Sequence, residues 1–198
     1  MATRRNPRFK ECRRLGVNTC GHPKAMKKVQ EQGFKRRRKP SEYSLQLTEK
    51  QKIKAYYGIF ERQLHNTFVK AKKKTDMKHG DALLVMLESR LDNIVYRAGF
   101  ANSIRMARQL VSHGHMRVNG QKVDIPSYEL KPGDVVALRD KSKGIENFKT
   151  TFLSQNVRGL EYVSRDEEKL RATYTRYPER KEIPVEINMQ LVVELYSR

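Results

Sequence analysis

The chain has little cysteine: two residues in 198. A disulfide framework is therefore excluded as the source of its stability, and the count fits a reducing cytoplasm. It also has no run of ~18 apolar residues, so nothing in it is built to span a bilayer. Hydrophobic residues make up 37% of the sequence, below the ~45–50% of ordinary globular chains. A core is affordable, but part of the chain is expected to stay outside it. The stretch MATRRNPRFKECRR lacks the apolar segment of a secretory signal; being basic and acid-poor, it leaves an organellar transit peptide open. Internal repeats are missing, as are low-complexity tracts beyond the basic clusters. The patterns G-x-S-x-G, H-E-x-x-H and the P-loop do not occur, and Asp166, Glu167 and Glu168 fall in a charged, solvated run. No enzyme is expected. Cys12, Cys20 and His22 lie close together without the paired C-x₂-C spacing of structural zinc sites, so neither zinc nor any other cofactor is expected.

What the chain has in excess is positive charge, +20 in all. Its distribution says more than its size. Residues 1–40 hold fourteen Lys and Arg against two Asp and Glu, a surplus of +12, whereas 41–81, 82–140 and 141–198 carry +4, +2 and +2. This is a basic arm on a nearly neutral body. Such an arm repels itself and calls for a polyanion, nucleic acid before anionic membrane. With Pro and Gly scattered through residues 1–44 and no sustained period, the arm is expected to be irregular and to order on its partner. The same spacing argues against a membrane-binding amphipathic helix there.

Beyond residue 44 the pattern becomes helical. Thr48 with Gln51 reads as a capping box, followed by Ile53, Tyr56, Tyr57, Phe60, Leu64, Phe68 and Ala71 at helical spacing. Gly58 weakens that helix and permits a kink. Lys50, Lys52, Lys54, Arg62 and Lys70 form its basic flank, with Lys50 and Arg62 as candidate RNA contacts, and KAKKKTDMKHGD reads as a linker. A second stripe runs from Leu83 to Ala98 with Gly99 to end it, either whole or broken near Ser89. A third helix begins with Asn102 or Ser103 as cap, buries Met106, Ala107, Leu110 and Val111, and ends at Gly114. Met116 and Val118 then alternate with polar residues, and Asn119-Gly120 makes a tight hairpin turn. Val123 and Ile125 lie on the return strand, and KPGD turns the chain into VVALR. The final IPVEINMQLVVELYSR is expected to give a strand, then a short helix or strand. The fold class is α+β: a helical body (45–88 with 150–198), an inserted small domain of helices plus a twisted antiparallel hairpin sheet (89–149), and the irregular basic arm (1–44).

Within QLVSHGHMRVNGQKVDIP, His113 sits at a helix C-terminus, where positive charge suits the dipole, and His115 begins a strand. Arg105, Arg108, Arg117 and Lys122 are near them in this fold, so contact with phosphate is a simpler account than a metal site. No helix is laid out for repeated half-sites on DNA; a helix pair, a hairpin and basic arms suit the contoured surface of structured RNA.

The run SRLDNIVYRAGFANSIRMARQLVSHGHMRVNGQKVDIPSYELKPGDVVALRDKS closely resembles the RNA-binding domain named for the bacterial small-subunit ribosomal protein S-four family. RRRKPSEYSLQLTEKQKIKAYYGIFERQ and the final IPVEINMQLVVELYSR resemble that family's flanks. The domain alone also occurs in RNA-modifying and stalled-ribosome factors; the flanks select the ribosomal family. The resemblance implies a structural, primary 16S rRNA-binding protein that nucleates assembly of the subunit body and contributes to translational accuracy. It implies neighbouring ribosomal proteins as partners, contact with messenger RNA where it enters the subunit, and residence on the cytoplasmic ribosome. It places the RNA face on Arg90, Asn93, Tyr96, Arg97, Arg108, Gln109, His113, His115, Arg117, Asn119 and Lys122, together with Lys35, Arg36, Arg37, Arg38, Lys39, Ser41, Tyr43 and Gln46. Two departures stand out. Relatives carry an arginine where this chain has Ile104, with Arg105 following it. Many also have four N-terminal zinc-binding cysteines, so the zinc-free form is the one this chain resembles.

Overall fold

The computed structural model describes residues 7–32, 39–154 and 160–197. They fall into two compact units, one of residues up to Leu83 together with those from Val185 onward, the other Leu84–Pro184. The strands of residues 150–184 therefore belong with the second unit, not with the helical body where the sequence put them.

In the first unit, α1 (Arg8–Leu15), a 3₁₀ turn at Pro23–Ala25 and α2 (Lys27–Gln32) occupy the segment expected to be irregular. What orders it is burial: Cys12, Leu15 and Ala25 are almost fully enclosed, and the Cys12 thiol is 3.3 Å from the Thr19 hydroxyl. α3 (Glu42–Tyr56) starts earlier than the capping-box reading at Thr48. Ser41 is the cap, its Oγ accepting from the Ser44 N–H at 3.3 Å, and Thr48 donates instead to the Ser44 carbonyl one turn back, 2.7 Å. A side chain satisfied in this way stays inside a helix. Gly58, at φ 61°, ends the helix rather than kinking it, because the left-handed region is closed to most L-residues. α4 (Glu61–Lys72) then begins afresh, with the Gln63 side chain accepting from the Phe60 N–H at 3.1 Å.

α10 (Met189–Ser197) packs on α3. Its Tyr196 ring stacks on Phe68 with centroids 4.7 Å apart, and its hydroxyl donates to Glu61 at 3.0 Å. Partial burial opposes ionisation of Glu61, but Lys54, Lys50 and Tyr196 outweigh it and hold its carboxyl down at about 2. The segment before α10 forms no strand; the Asn188 N–H donates to Glu49 at 2.9 Å instead.

In the second unit α5 (His79–Glu88, which begins in the first unit) and α6 (Leu91–Arg97) are separate helices. The chain is extended at Arg90, which bridges to Glu129, while Leu91 N–H donates to Tyr128 O and Leu130 N–H to Ser89 O, both at 2.8 Å. The break near Ser89 is thus stitched to a later loop that no local pattern reveals. α7 (Ile104–Ser112) is capped by Ser103 and packs against α6. The strands β1 (Met116–Val118), β2 (Gln121–Lys122), β3 (Val135–Leu138), β4 (Val163–Asp166) and β5 (Arg171–Tyr174) form one antiparallel sheet in the order β2-β1-β3-β5-β4. α8 (Asp140–Lys143) and α9 (Glu146–Ser154) link β3 to β4. Leu91, Ile94, Leu110, Val111, Val118, Val136, Phe152 and Tyr174 are among the side chains that close the core between helices and sheet. The return strand β2 is only two residues long, and Ile125, expected on it, lies beyond it and is 55% exposed.

Candidate nucleic-acid interface

Asn119 and Gly120 have φ of 49° and 81°, the two left-handed residues of a type I′ turn, whose twist matches that of the strands it joins. The Asn119 side chain also fixes the neighbouring turn. Its Nδ2 donates to Asp134 at 2.8 Å and its Oδ1 accepts from the Val135 N–H at 2.9 Å. The hairpin tip is thereby held to KPGD. Register places Arg117 directly opposite Lys122, a like-charge pair that costs stability unless anions answer it. In the free protein Asp140 lies 2.8 Å from Arg117 and Asp124 3.7 Å from Lys122. A hydrogen bond from Lys143 and the charge of Arg117 hold the Asp140 carboxyl below the usual range.

Gly114, at φ 71°, sits directly beneath Lys122, whose stem occupies the space a Cβ would need. Gly114→Ala is expected to cost about 1–2 kcal/mol from the left-handed backbone alone and to push Lys122 aside. Urea melts of the single variant and of Gly114→Ala with Lys122→Ala check this; a Gly114→Ala midpoint equal to the parent's would show that neither constraint operates.

Along α7, Arg105 and Gln109 are exposed, and so is His113 at its end. Of the other cations expected beside them, Lys122 is exposed and Arg108 and Arg117 are half-buried. His115 is less a hand for phosphate than a positioned group. Its Nδ1 is 3.0 Å from the Ser142 hydroxyl and its ring meets the edge of Phe148 at 5.1 Å. Burial, then the charges of His113 and Arg139, push its pKa down, which favours the neutral ring.

Four residues expected on the RNA face are buried instead. Arg90, Asn93 and Arg97 surround two carboxylates that sequence reasoning missed, Glu88 and Asp92, each wholly enclosed. Asn93 donates to Glu88 at 2.6 Å, Arg97 makes a fork to it at 2.9 and 3.2 Å, and the Tyr162 hydroxyl adds a bond of 3.1 Å. Burial, and then the Glu88 charge, push the Tyr162 hydroxyl far up, so it is fixed as a donor. Arg90 forks onto Asp92 at 3.0 and 2.9 Å. Arg108 reaches the same carboxylate, 2.6 and 3.0 Å from Oδ2. The fourth, Gln46, is 1% exposed and donates to Glu194 at 3.3 Å. Arg90, Asn93 and Arg97 are occupied because a buried carboxylate demands full hydrogen bonding. The available signal was acidic and amide residues interrupting the apolar run Leu83–Ala98. Arg108 has a structural task as well as an outward edge, so Arg117 and Lys122 make the cleaner test of the face.

Of the rest, Tyr96 is half-buried against the core with Arg97 over its ring at 5.8 Å. Lys39, Ser41, Tyr43 and Arg62 are exposed. Lys50 is tied to Glu61 at 2.9 Å, and Asn119 to the turn already described. Lys35, Arg36, Arg37 and Arg38 lie outside the described residues. Cys12 and Cys20 are free thiols, and the His22 Nδ1 accepts from the Lys24 N–H at 3.1 Å. Among the described residues no group of three or more His, Cys, Asp or Glu is placed to hold a metal.

A helix pair on an antiparallel sheet, with arginines along the outer helix and a hairpin bearing paired cations, defines an RNA-binding module. Comparison with known proteins agrees: residues 89–136 match the S4 domain and residues 3–88 the ribosomal protein S4/S9 N-terminal domain. The chain is 50% identical over 199 residues to small ribosomal subunit protein uS4 of Finegoldia magna, covering 100% of both. It is 48% identical over 202 residues to that of a Geobacillus species, again covering 100% of both, and 50% identical over 194 residues, 96% of each, to that of Oceanobacillus iheyensis. The chain belongs to the uS4 family of small ribosomal subunit proteins.

Proposed function

We infer that the chain is a structural constituent of the small ribosomal subunit and acts by binding ribosomal RNA, not by catalysis. The observation that carries this is identity of about one residue in two with uS4 proteins over their whole length. The face of Arg105, Arg108, Gln109, His113, Arg117 and Lys122 supplies phosphate contacts, and the rigid hairpin sets their spacing against the RNA surface. In the finer reading the protein binds 16S rRNA early, nucleates the subunit body and thereby influences translational accuracy. It meets neighbouring ribosomal proteins and, where messenger RNA enters the subunit, that strand as well. No helix among the described residues is long and apolar enough to cross a membrane.

The test is sedimentation of ribosomal subunits through a series of salt washes. The protein is expected to travel with the small subunit at salt that strips loosely held factors. Recovery only in the free fraction would overturn the assignment and favour a factor that borrows the same RNA-binding module.

A further inference from the structure

The two cysteines of the chain are eight positions apart, and the fold of the first unit turns them toward each other. α1 ends at Gly16, whose φ of 75° takes the chain out of the helix. A short return follows, closed by a 2.9 Å bond from the Thr19 N–H to the Val17 carbonyl. It lays Thr19 and Cys20 against the helix. The Thr19 hydroxyl is 3.3 Å from the Cys12 sulfur, and the Cys20 thiol interacts with the Cys12 side chain. Cys12 is wholly enclosed, whereas Cys20 is only half-buried.

A bland account is that a small thiol fills an apolar interior as well as any other small side chain. That covers Cys12. It does not cover a second thiol, partly open to solvent, set against the first and otherwise held only by a long 3.5 Å bond to the Asn18 Oδ1. Burial pushes the Cys20 pKa up and Cys12 adds to the rise, while the His22 main chain and the Arg8 charge oppose it. The Cys20 thiol therefore rests protonated, and its reaction with an oxidant waits on the minor thiolate fraction, which the Arg8 charge favours.

We propose that Cys20 and Cys12 form an oxidation site, at which a peroxide converts the two thiols to an intramolecular disulfide that clamps the end of α1 to the turn before Pro23–Ala25. The Cys20 thiolate attacks one peroxide oxygen and the O–O bond breaks. The other oxygen leaves as hydroxide and takes up a proton to become water, and Cys20 is left as a sulfenic acid. Cys12 gives up its thiol proton and attacks the Cys20 sulfur; the S–S bond forms, the S–O bond breaks and the second oxygen departs as water. The two sulfurs have together lost two electrons and the peroxide oxygens have gained them. A thiol reductant reverses the bond by exchange. The site lies in the first unit and is independent of the RNA face.

The experiment treats the full reduced chain with hydrogen peroxide, blocks the remaining thiols with iodoacetamide and reads tryptic peptides by mass spectrometry. Trypsin cuts after Lys10, Arg13 and Arg14, so the two cysteines fall on separate peptides. The expected product is those two peptides joined with the loss of two hydrogens, and parted again by dithiothreitol. In Cys12→Ser the Cys20 sulfenic acid should persist and be trapped by dimedone, which should capture little from the parent. Poised against a glutathione couple, the disulfide should be at least about tenfold more stable in the folded chain than in urea, because the native fold holds the sulfurs together. The oxidised protein should also melt above the reduced one. Cross-links only between chains, or no joined peptides at all, overturn the proposal. So do a disulfide no more stable folded than in urea, a melting temperature lowered by oxidation, and equal dimedone capture in the parent and Cys12→Ser.

Discussion

Glu88→Ala is expected to destabilise the second unit by about 3–5 kcal/mol, the usual result of leaving a buried charge without its partner. Glu88 is wholly enclosed and accepts from Arg97, Asn93 and Tyr162. Truncating it strands the Arg97 guanidinium and two further donors where water does not reach. In a unit of about 100 residues such a loss lowers the melting temperature by roughly 12–40 °C. Replacing Glu88 and Arg97 together with apolar residues of similar size should recover much of the loss, because the unpaired charge, not the missing attraction, carries most of it. Thermal melts of the single and double variants decide the matter. A single-variant loss under about 1 kcal/mol would mean that Arg97 finds another partner and that the network is not structural.

RNA affinity is expected to fall by ~10³–10⁵ between 50 and 200 mM salt if ~6–10 phosphates are engaged. The cations of α7 and the hairpin would release condensed counterions on binding, and that release is what salt opposes. Arg117→Ala with Lys122→Ala should lower the slope by about 2 without unfolding the protein, since their pairing with Asp140 and Asp124 lies at the surface. A slope near zero for the parent would remove electrostatics as the source of affinity; a slope unchanged in the double variant would move the contact to another face.

How much of this was legible in advance depended on whether the governing interactions were local. α7 was readable because Ser103 caps it, Gly114 stops it and its apolar positions recur at helical spacing. The first hairpin was readable from Asn119-Gly120. The β4–β5 hairpin was not. Its turn contains no glycine or asparagine, and Leu170 takes φ 48° with its side chain buried, a conformation forced by packing that turn chemistry does not announce. Thr48 misled because the same hydroxyl serves equally as a cap or as a donor one turn back. The interface was half legible for a related reason. Residue type separates cations from apolar residues, but it does not separate arginines that face solvent from those that hold a buried acid. Arg90 and Arg97 became readable only once Asp92 and Glu88 were seen between them.

The second unit is one continuous stretch of chain, while the first draws on segments far apart. Gln46 meets Glu194 across 148 positions and Asn188 meets Glu49 across 139. During synthesis at ~5–20 residues per second, α10 therefore leaves the ribosome about 6–25 s after α4 is complete. For that interval Phe68 lacks Tyr196 and α3 lacks its covering helix, and only near its end has every residue of the second unit been made. The nested unit can thus be native before its host, and a chaperone that shields nascent apolar surface has its longest opportunity on α3 and α4.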